Sequence, residues 1–142
     1  MTKFEAKLTS FSPIVLSLFR IVFGLLLTIH ATQKLFAWPV GLPNGQGGFT
    51  DVTVPMGTWP FWWAGLIELV AGLLIMTGLV TRFAAFVASG EMAFAYFTQH
   101  QPKGLWPIEN GGELAALYCF AFFLLVFTGG GAWALDAMRE KR

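Results

Sequence analysis

The residues of greatest chemical interest are six ionisable side chains inside otherwise apolar stretches of the sequence: Arg20, His30, Lys34, Glu68, Glu91 and Glu113. Each costs roughly 2.5–3.5 kcal/mol at the middle of a bilayer, so its retention requires a charged partner or a wet cavity. Histidine titrates near neutral pH, and a carboxyl group beside it can take or return a proton. These residue types therefore suit proton-coupled redox chemistry on a lipid-soluble substrate.

The depths of these side chains indicate how they pair. With a rise of about 1.5 Å per helical residue, the distances from the cytoplasmic edge are about 10 Å for Arg20, 14 Å for Glu91, 17 Å for Glu68, 22 Å for Glu113 and 25 Å for His30, with Lys34 at the outer boundary. We therefore expect an inner pair, Arg20 with Glu91 or Glu68, and an outer cluster of Glu113, His30 and Lys34. In the outer cluster, His30 and Glu113 would exchange protons and Lys34 would stabilise negative charge.

The same residues also fit a purely structural role, in which buried salt bridges hold the helices in register. Ala64 and Gly72 flank Glu68 at helical spacing, and small residues let helix backbones approach and bury a carboxylate. The pair of Arg20 with Glu68 is the one for which we expect a structural role, with Glu91 as a further partner.

The composition is that of a protein surrounded by lipid. Of the 142 residues, 56% are hydrophobic and only 12% are charged, whereas soluble domains carry about 25% charged residues. The formal net charge of +1 gives no electrostatic reason to expect nucleic-acid binding. A single cysteine, Cys119, excludes an intrachain disulfide, a paired-cysteine redox motif and a thiolate-rich metal site.

Four apolar stretches are close to the roughly 20 residues that a transmembrane helix needs. They cover about residues 13–36, 59–79, 82–99 and 110–128. Ser12-Pro13 is a signal for the start of the first helix, and the Gly129-Gly130-Gly131 run ends the fourth. We expect a single all-α domain over residues 1–142, a bundle of four transmembrane helices preceded by a short interfacial helix.

The distribution of basic residues predicts the orientation of this bundle. One side has Lys3, Lys7, Arg82, Arg139, Lys141 and Arg142, and the other has only Lys34 and Lys103. By the positive-inside rule both termini are cytoplasmic. The stretch 37–58 is then a long outer loop, rich in proline and glycine, and it serves either as a lid over an outward-opening pocket or as a flexible tether.

Haem is a further cofactor to weigh. His30 and His100 both lie near the predicted outer edge, which makes a single bis-histidine haem geometrically conceivable. The chain has only these two histidines and no haem attachment motif, and His100 lies in a polar loop sequence. We therefore do not expect haem, and we expect no metal site.

Landmarks from about Ser17 to Asp136 resemble the DoxX family of membrane proteins. In the first helix, Leu18-Phe19-Arg20, Gly24 and His30-Ala31-Thr32-Gln33-Lys34-Leu35-Phe36 are similar to the family pattern of Arg, Gly and His-Gly-x-x-Lys-Leu, with Ala31 replacing the usual glycine. The later landmarks are Glu68 with Gly72, Gly78-Leu79-Val80-Thr81-Arg82, Asn110-Gly111-Gly112-Glu113-Leu114, and Gly129-Gly130 before Asp136.

This resemblance implies a four-helix, multi-pass protein of the bacterial inner membrane. Family members look like subunits or partners of membrane oxidoreductases, including thiosulfate:quinone oxidoreductase in sulfur-oxidising archaea and an oxidative-stress complex in mycobacteria. We therefore expect an accessory or quinone-interacting subunit of such a system, with quinone as the candidate cofactor. Its partners would be the lipid bilayer and either a redox enzyme or a second copy of the chain.

Two other functions remain open at this stage. A small transporter or channel subunit would use the buried carboxylates to line a path for an ion or solute. A membrane scaffold would recruit a soluble redox enzyme through the basic tail, residues 139–142. The chain has no flavin, nicotinamide or iron–sulfur motif, so electrons would have to arrive from another protein.

Overall fold

The computed structural model describes residues 2–139, and this part of the chain is helical, with one isolated β-bridge and no longer strand. The helices are α1 (Lys3–Phe36), α2 (Phe61–Thr77), α3 (Thr81–Ala95), α4 (Pro107–Asn110), α5 (Glu113–Thr128) and α6 (Leu135–Arg139). The all-α prediction is thus confirmed. Most of the predicted basic tail, residues 140–142, lies outside the described residues.

The first helix begins ten residues earlier than the predicted start at Pro13. A single α1 of 34 residues replaces the predicted interfacial helix and span. The Thr2 hydroxyl accepts a hydrogen bond from the Glu5 amide, and the Glu5 carboxylate accepts one from the Thr2 amide. This capping box satisfies the main-chain amides of Thr2 and Glu5, so the helix starts directly after Thr2 and runs through Pro13.

Of the described helices, α1 alone is both long and apolar enough to cross a membrane by itself. The apolar helices α2 and α5 have 17 and 16 residues, and α3 has 15. These helices are shorter than the predicted spans because turns, caps and a change of helix type take up the flanking residues. After Ala95, α3 continues as a π-helical turn, Tyr96–His100, and then a 3₁₀ turn, Gln101–Lys103.

The helices pack as two antiparallel pairs, α1 with α2 and α3 with α5, and α2 also contacts α3. Gly24 and Gly72 bring α1 and α2 together: a Cβ at Gly24 would lie 2.6 Å from the Met76 amide nitrogen. Between the pairs, the Phe23 ring of α1 packs edge-on against Phe122 of α5, with 6.4 Å between ring centroids. The core therefore depends on close backbone contact in one pair and aromatic packing between pairs.

The two ends of the bundle are distinct. At one end, which we call the loop end, α1 finishes and α2 begins. The opposite end, which we call the turn end, has the short connection around Gly78 and the glycine run after α5. Large apolar side chains on the outer faces are exposed, among them Phe83 at 69%, Phe120 at 72% and Phe127 at 66%, as expected for surfaces that meet lipid rather than water.

The long connection between α1 and α2 is an ordered structure at the loop end. The Gly41 amide donates to the Thr50 carbonyl at 2.8 Å, and the Thr50 amide donates back to Leu42 at 2.9 Å. The Val54 amide donates to the Lys34 carbonyl at 2.8 Å, and the Val54 side chain is buried. The connection is thus ordered and folded back on the end of α1.

Candidate functional site

An ion pair joins the last turn of α1 to α2. The Lys34 Nζ donates to Glu68 Oε1 at 2.6 Å, and the Glu68 side chain is only 2% exposed. Gly65, one turn before Glu68, allows this approach, since a Cβ there would lie 3.1 Å from the Leu35 side chain. Among the described residues Glu68 Oε2 has no hydrogen-bond partner. The ion pair therefore leaves one buried carboxylate oxygen for another donor.

Glu91 is a half-buried acidic residue close to this pair. It lies on α3, and its Oε2 is shielded from solvent without a hydrogen-bond partner in the described part of the chain. Buried polar atoms are almost always hydrogen-bonded in proteins, so an unsatisfied one requires an explanation. The Glu91 side chain lines a cavity together with Lys34, and a ligand in that cavity would provide such an explanation.

The cavity lies at the loop end, between the start of α2 and the end of α3. Its volume is about 610 Å³, within the roughly 300–1,000 Å³ of small-molecule sites. The walls include Trp59, Phe61, Trp63 and Phe94. Lys34, Glu91 and Lys103 supply charge. Apolar walls with a few polar groups are typical of sites for hydrophobic ligands.

His30 lies beside this site rather than in the wall of the cavity. Its half-buried ring packs edge-on against the ring of Tyr118 on α5, with 5.9 Å between centroids. It stands one helical turn before Lys34 on α1. Lys34 therefore connects a cavity on the α2–α3 side with a histidine on the α5 side.

The predicted outer cluster of Glu113 with His30 and Lys34 does not form. Glu113 is the first residue of α5 and is exposed, and Lys34 is paired with Glu68 instead. A carboxylate in the first turn of a helix is stabilised by the free amide groups there and needs no buried cation. The prediction was wrong because it extended the fourth helix back to Asn110, which placed Glu113 too deep.

The predicted pairing of Arg20 with Glu68 or Glu91 is also wrong. Arg20 is fully buried, and its guanidinium donates to main-chain carbonyls: Nε to Gly130 at 2.7 Å and Nη1 to Ile75 at 2.7 Å and to Met76. Carbonyls at helix ends lack partners within the helix and readily accept such bonds. The hydrogen bonds of Arg20 therefore join α1 to the end of α2 and to the glycine run at the turn end. Arg20 lies outside the cavity.

Asp136 is a structural residue whose role the sequence analysis missed. Its carboxylate accepts hydrogen bonds from the amides of Val80 and Thr81 and from the Thr81 hydroxyl, each at 2.8 Å. It thus caps the start of α3 from a distant part of the chain. Partial burial opposes ionisation of Asp136, but these hydrogen bonds outweigh it and lower its pKa from the ordinary value. Only the tertiary structure brings these residues together.

His100 belongs to the rim of the cavity and not to a free polar loop. Its Nδ1 lies 3.1 Å from the Asn110 carbonyl, at the end of the π-helical turn. Asn110, which the sequence analysis named only as part of a family landmark, is buried and donates to the Gly104 carbonyl at 3.0 Å. His30 lines no part of this cavity. Within residues 2–139 no three histidine, cysteine or acidic residues gather as a metal site.

Comparisons with known proteins confirm the resemblance to the DoxX family. The model of the DoxX family matches residues 15–101. An uncharacterized protein of Haemophilus influenzae is 42% identical over 132 residues, covering 91% of this chain and 93% of the relative. An uncharacterized membrane protein of Mycobacterium tuberculosis is 29% identical over 133 residues, covering 87% and 80%. No solved structure gives a significant match.

Proposed function

This chain belongs to the DoxX family of membrane proteins, and on that premise we propose that it binds a quinone-like molecule as an accessory subunit of a membrane oxidoreductase system. The observation that carries the proposal is the aromatic cavity of about 610 Å³ with Lys34 and Glu91 in its wall. A lipid-soluble ring fits apolar aromatic walls, and its oxygen atoms need the few polar groups that such a cavity retains.

The side chains around the cavity suit proton-coupled chemistry on such a ring. Lys34 is placed to stabilise negative charge on a ring oxygen. Glu91 borders the cavity and holds a buried carboxyl oxygen without a partner among the described residues, so it can take a proton from a ligand or return one. Glu68 does not line the cavity, and it contributes by holding Lys34 in place. His30, one turn from Lys34, is the group through which we propose that protons leave the site.

Arg20 and Glu113, the remaining predicted site residues, do not bind the ligand in this proposal. Arg20 maintains the structure at the turn end, where it bonds Ile75 and Gly130. Glu113 is exposed at the start of α5 and takes no part in ligand binding. The site is therefore composed of Lys34, Glu68 and Glu91, with His30 behind it.

We also propose a multi-pass topology in the bacterial inner membrane, with both termini cytoplasmic. The exposed apolar faces of the helices favour it, because each of α1, α2, α3 and α5 presents large hydrophobic side chains outwards. With its π-helical extension, α3 covers residues 81–100, or about 20 residues at close to 30 Å. Lys3, Lys7 and Arg82 then lie on the cytoplasmic side, at the turn end.

Transport by the same carboxylates is the alternative, and the turn end argues against it. Arg20, Gly130 and the buried Ala134 close that end of the bundle, so the cavity is reached from the loop end or from the side. A path across the membrane would require this closed region to open. Ion flux into liposomes that contain the purified protein is expected to equal that of empty liposomes.

Native mass spectrometry of the protein in mild detergent tests quinone binding. The wild type is expected to hold one molecule of a short-tailed ubiquinone analogue, decylubiquinone, and Trp63→Ala is expected to lose most of it because a cavity wall is removed. Glu109→Gln, at an exposed site on α4, serves as the control and should bind like the wild type. Absence of binding to the folded wild-type protein would contradict the proposal.

A further inference from the structure

The outer face of α1 has an unbroken heptad pattern of apolar side chains, which we call the heptad stripe. Its residues are spaced alternately four and three positions apart: Phe4, Leu8, Phe11, Val15, Leu18, Val22 and Leu25. All of them are between 45% and 70% exposed. This is the spacing of positions a and d in a coiled coil, and the charged residues Glu5 and Lys7 take the flanking e and g positions. A pattern sustained over three heptads indicates a coiled coil.

The residue types along the stripe favour two parallel strands. Val15 and Val22 occupy position a, while Leu18 and Leu25 occupy position d. Valine or isoleucine at a with leucine at d favours a parallel dimer over a trimer or tetramer, because these shapes suit the packing of two strands. The stripe therefore has the composition of a two-stranded seam as well as its spacing.

The opposite face of α1 packs within the chain. Its buried residues are Ser17, Arg20, Gly24, Leu27 and Ala31. They also alternate by three and four positions, but they lie on the other side of the helix, which packs against α2. A second helix can therefore pack along the heptad stripe without displacing α2 from α1.

Lipid covers only part of the heptad stripe. The Pro13 carbonyl accepts a hydrogen bond from the Ala132 amide at 3.0 Å, and this contact marks where α1 reaches the turn end. Residues 13–36 already extend about 36 Å, more than the roughly 30 Å of hydrocarbon in a bilayer. Residues 3–12 are all exposed and project about 15 Å further. The first three stripe residues thus lie beyond the hydrocarbon, where burial of apolar surface stabilises an association.

We infer that two copies of this chain associate through their α1 helices as a parallel two-stranded coiled coil along the heptad stripe. The strands are parallel because both copies of a membrane protein have the same orientation in the bilayer. Two-fold symmetry about the membrane normal then places identical residues opposite each other. This association does not involve the cavity between α2 and α3.

The exposed area of the heptad stripe is sufficient for a dimer interface. With roughly 150–200 Å² of surface on a large apolar side chain and about half of it exposed, the seven residues offer on the order of 600 Å² on each copy. Two copies would bury about 1,200 Å² in total, the lower end of the range for specific interfaces. Leu26, which is also exposed, lies beside the stripe and adds to this area.

Disulfide crosslinking in lipid vesicles tests the seam. In a Cys119→Ala background, one set of variants has Leu8→Cys or Phe11→Cys, within the stripe. The control variants, Ala6→Cys and Thr9→Cys, are on the opposite side of the same exposed segment. Because identical residues face each other at positions a and d, the two stripe cysteines are expected to give several-fold more covalent dimer than the two control cysteines. Equal crosslinking at all four positions, or at none, would overturn the inference.

Single-molecule photobleaching in dilute vesicles measures the association without a crosslink. The wild type is expected to bleach in two steps, and Leu8→Glu with Phe11→Glu should raise the dimer dissociation constant by at least about tenfold, because two apolar contacts are lost. Ala6→Glu with Thr9→Glu should leave it unchanged. Monomeric wild-type protein, or a dimer that persists in the Leu8→Glu and Phe11→Glu variant, would overturn the inference. Quinone binding in the cavity is expected to be the same in all of these variants, so the two proposals fail separately.

Discussion

The ammonium group of Lys34 lies 2.6 Å from Glu68 Oε1, and this contact joins the end of α1 to α2 beside the aromatic cavity. Both a structural and a chemical role follow from it. The pair holds the loop end of the first helical pair together, and it also places a cation in the wall of the cavity. The two roles can be separated by measuring stability and ligand binding independently.

Removal of the cation is expected to destabilise the protein. Lys34→Met leaves Glu68 buried without its partner, which costs about 3 kcal/mol, at the low end of the range for a buried pair because the Lys34 side chain is 23% exposed. The measurement is the free energy of unfolding in detergent. The double variant Lys34→Met with Glu68→Gln should recover part of the loss, and a double variant as unstable as Lys34→Met alone would argue against this explanation.

Replacement of the buried arginine tests the structure of the turn end. Arg20→Lys keeps the positive charge but cannot reach the Gly130 and Ile75 carbonyls together. We expect a loss of roughly 1–3 kcal/mol for each carbonyl left without a donor. Arg82→Lys is the comparison, because Arg82 also donates to carbonyls, those of Val126 and Phe127, but at an exposed position. A loss of stability in Arg82→Lys equal to that in Arg20→Lys would show that burial is not the cause.

The contact between α1 and α2 predicts opposite effects for two glycine substitutions. Gly24→Ala would place a Cβ 2.6 Å from the Met76 amide nitrogen and is expected to destabilise the protein by roughly 1–3 kcal/mol. Gly90→Ala meets nothing within 4 Å on α3, and alanine favours the helix by up to about 1 kcal/mol. Thermal unfolding of both variants provides the measurement. Equal melting temperatures for the two would contradict the close approach of α1 and α2.

The cap of α3 predicts a dependence of stability on pH. Burial opposes ionisation of Asp136, yet the hydrogen bonds from Thr81 and Val80 hold its pKa below the ordinary value. The folded state therefore binds fewer protons at this carboxyl group than the unfolded state does. The stabilisation is complete above the ordinary pKa and is lost as the pH falls through the lowered one. Asp136→Asn should show a smaller loss of melting temperature between pH 6 and pH 3 than the wild type.

The site predicted from the sequence includes Glu113, whereas the site proposed from the structure does not. Because Glu113 is exposed and is not paired with Lys34, Glu113→Gln should bind decylubiquinone as the wild type does. Isothermal titration in nanodiscs measures this. A clear loss of affinity in folded Glu113→Gln protein would restore Glu113 to the site.

Helix content, the family and several positions of interest were predictable from local sequence. The low charge and long apolar stretches indicate helices in lipid, and the Arg20, Gly24 and Lys34 landmarks identify the family that the comparison confirms. Arg20 and Glu68, two of the ionisable side chains that interrupt apolar stretches of the sequence, are indeed buried. Such features depend on composition and on residue spacing within one helix, which the sequence displays directly.

The pairing of these charges was decided by the tertiary structure. Depth along a helix is a coordinate in one dimension, and it placed Arg20 near a carboxylate and Glu113 near Lys34. The actual partners depend on rotation about each helix axis and on where each helix begins. Arg20 meets the carbonyls of Ile75 and Gly130, and Lys34 meets Glu68 because Gly65 lets the helices approach.

The cavity likewise arises only from packing. The aromatic walls of the cavity come from the residues before and within α2 and from the end of α3. From the sequence by itself, tryptophans at such positions predict a membrane interface and not a cavity. A hydrophobic residue in the sequence looks the same whether it faces lipid, the core or a ligand. Contacts between distant segments decide among these surroundings, because burial depends on what packs against a side chain and not on its own type.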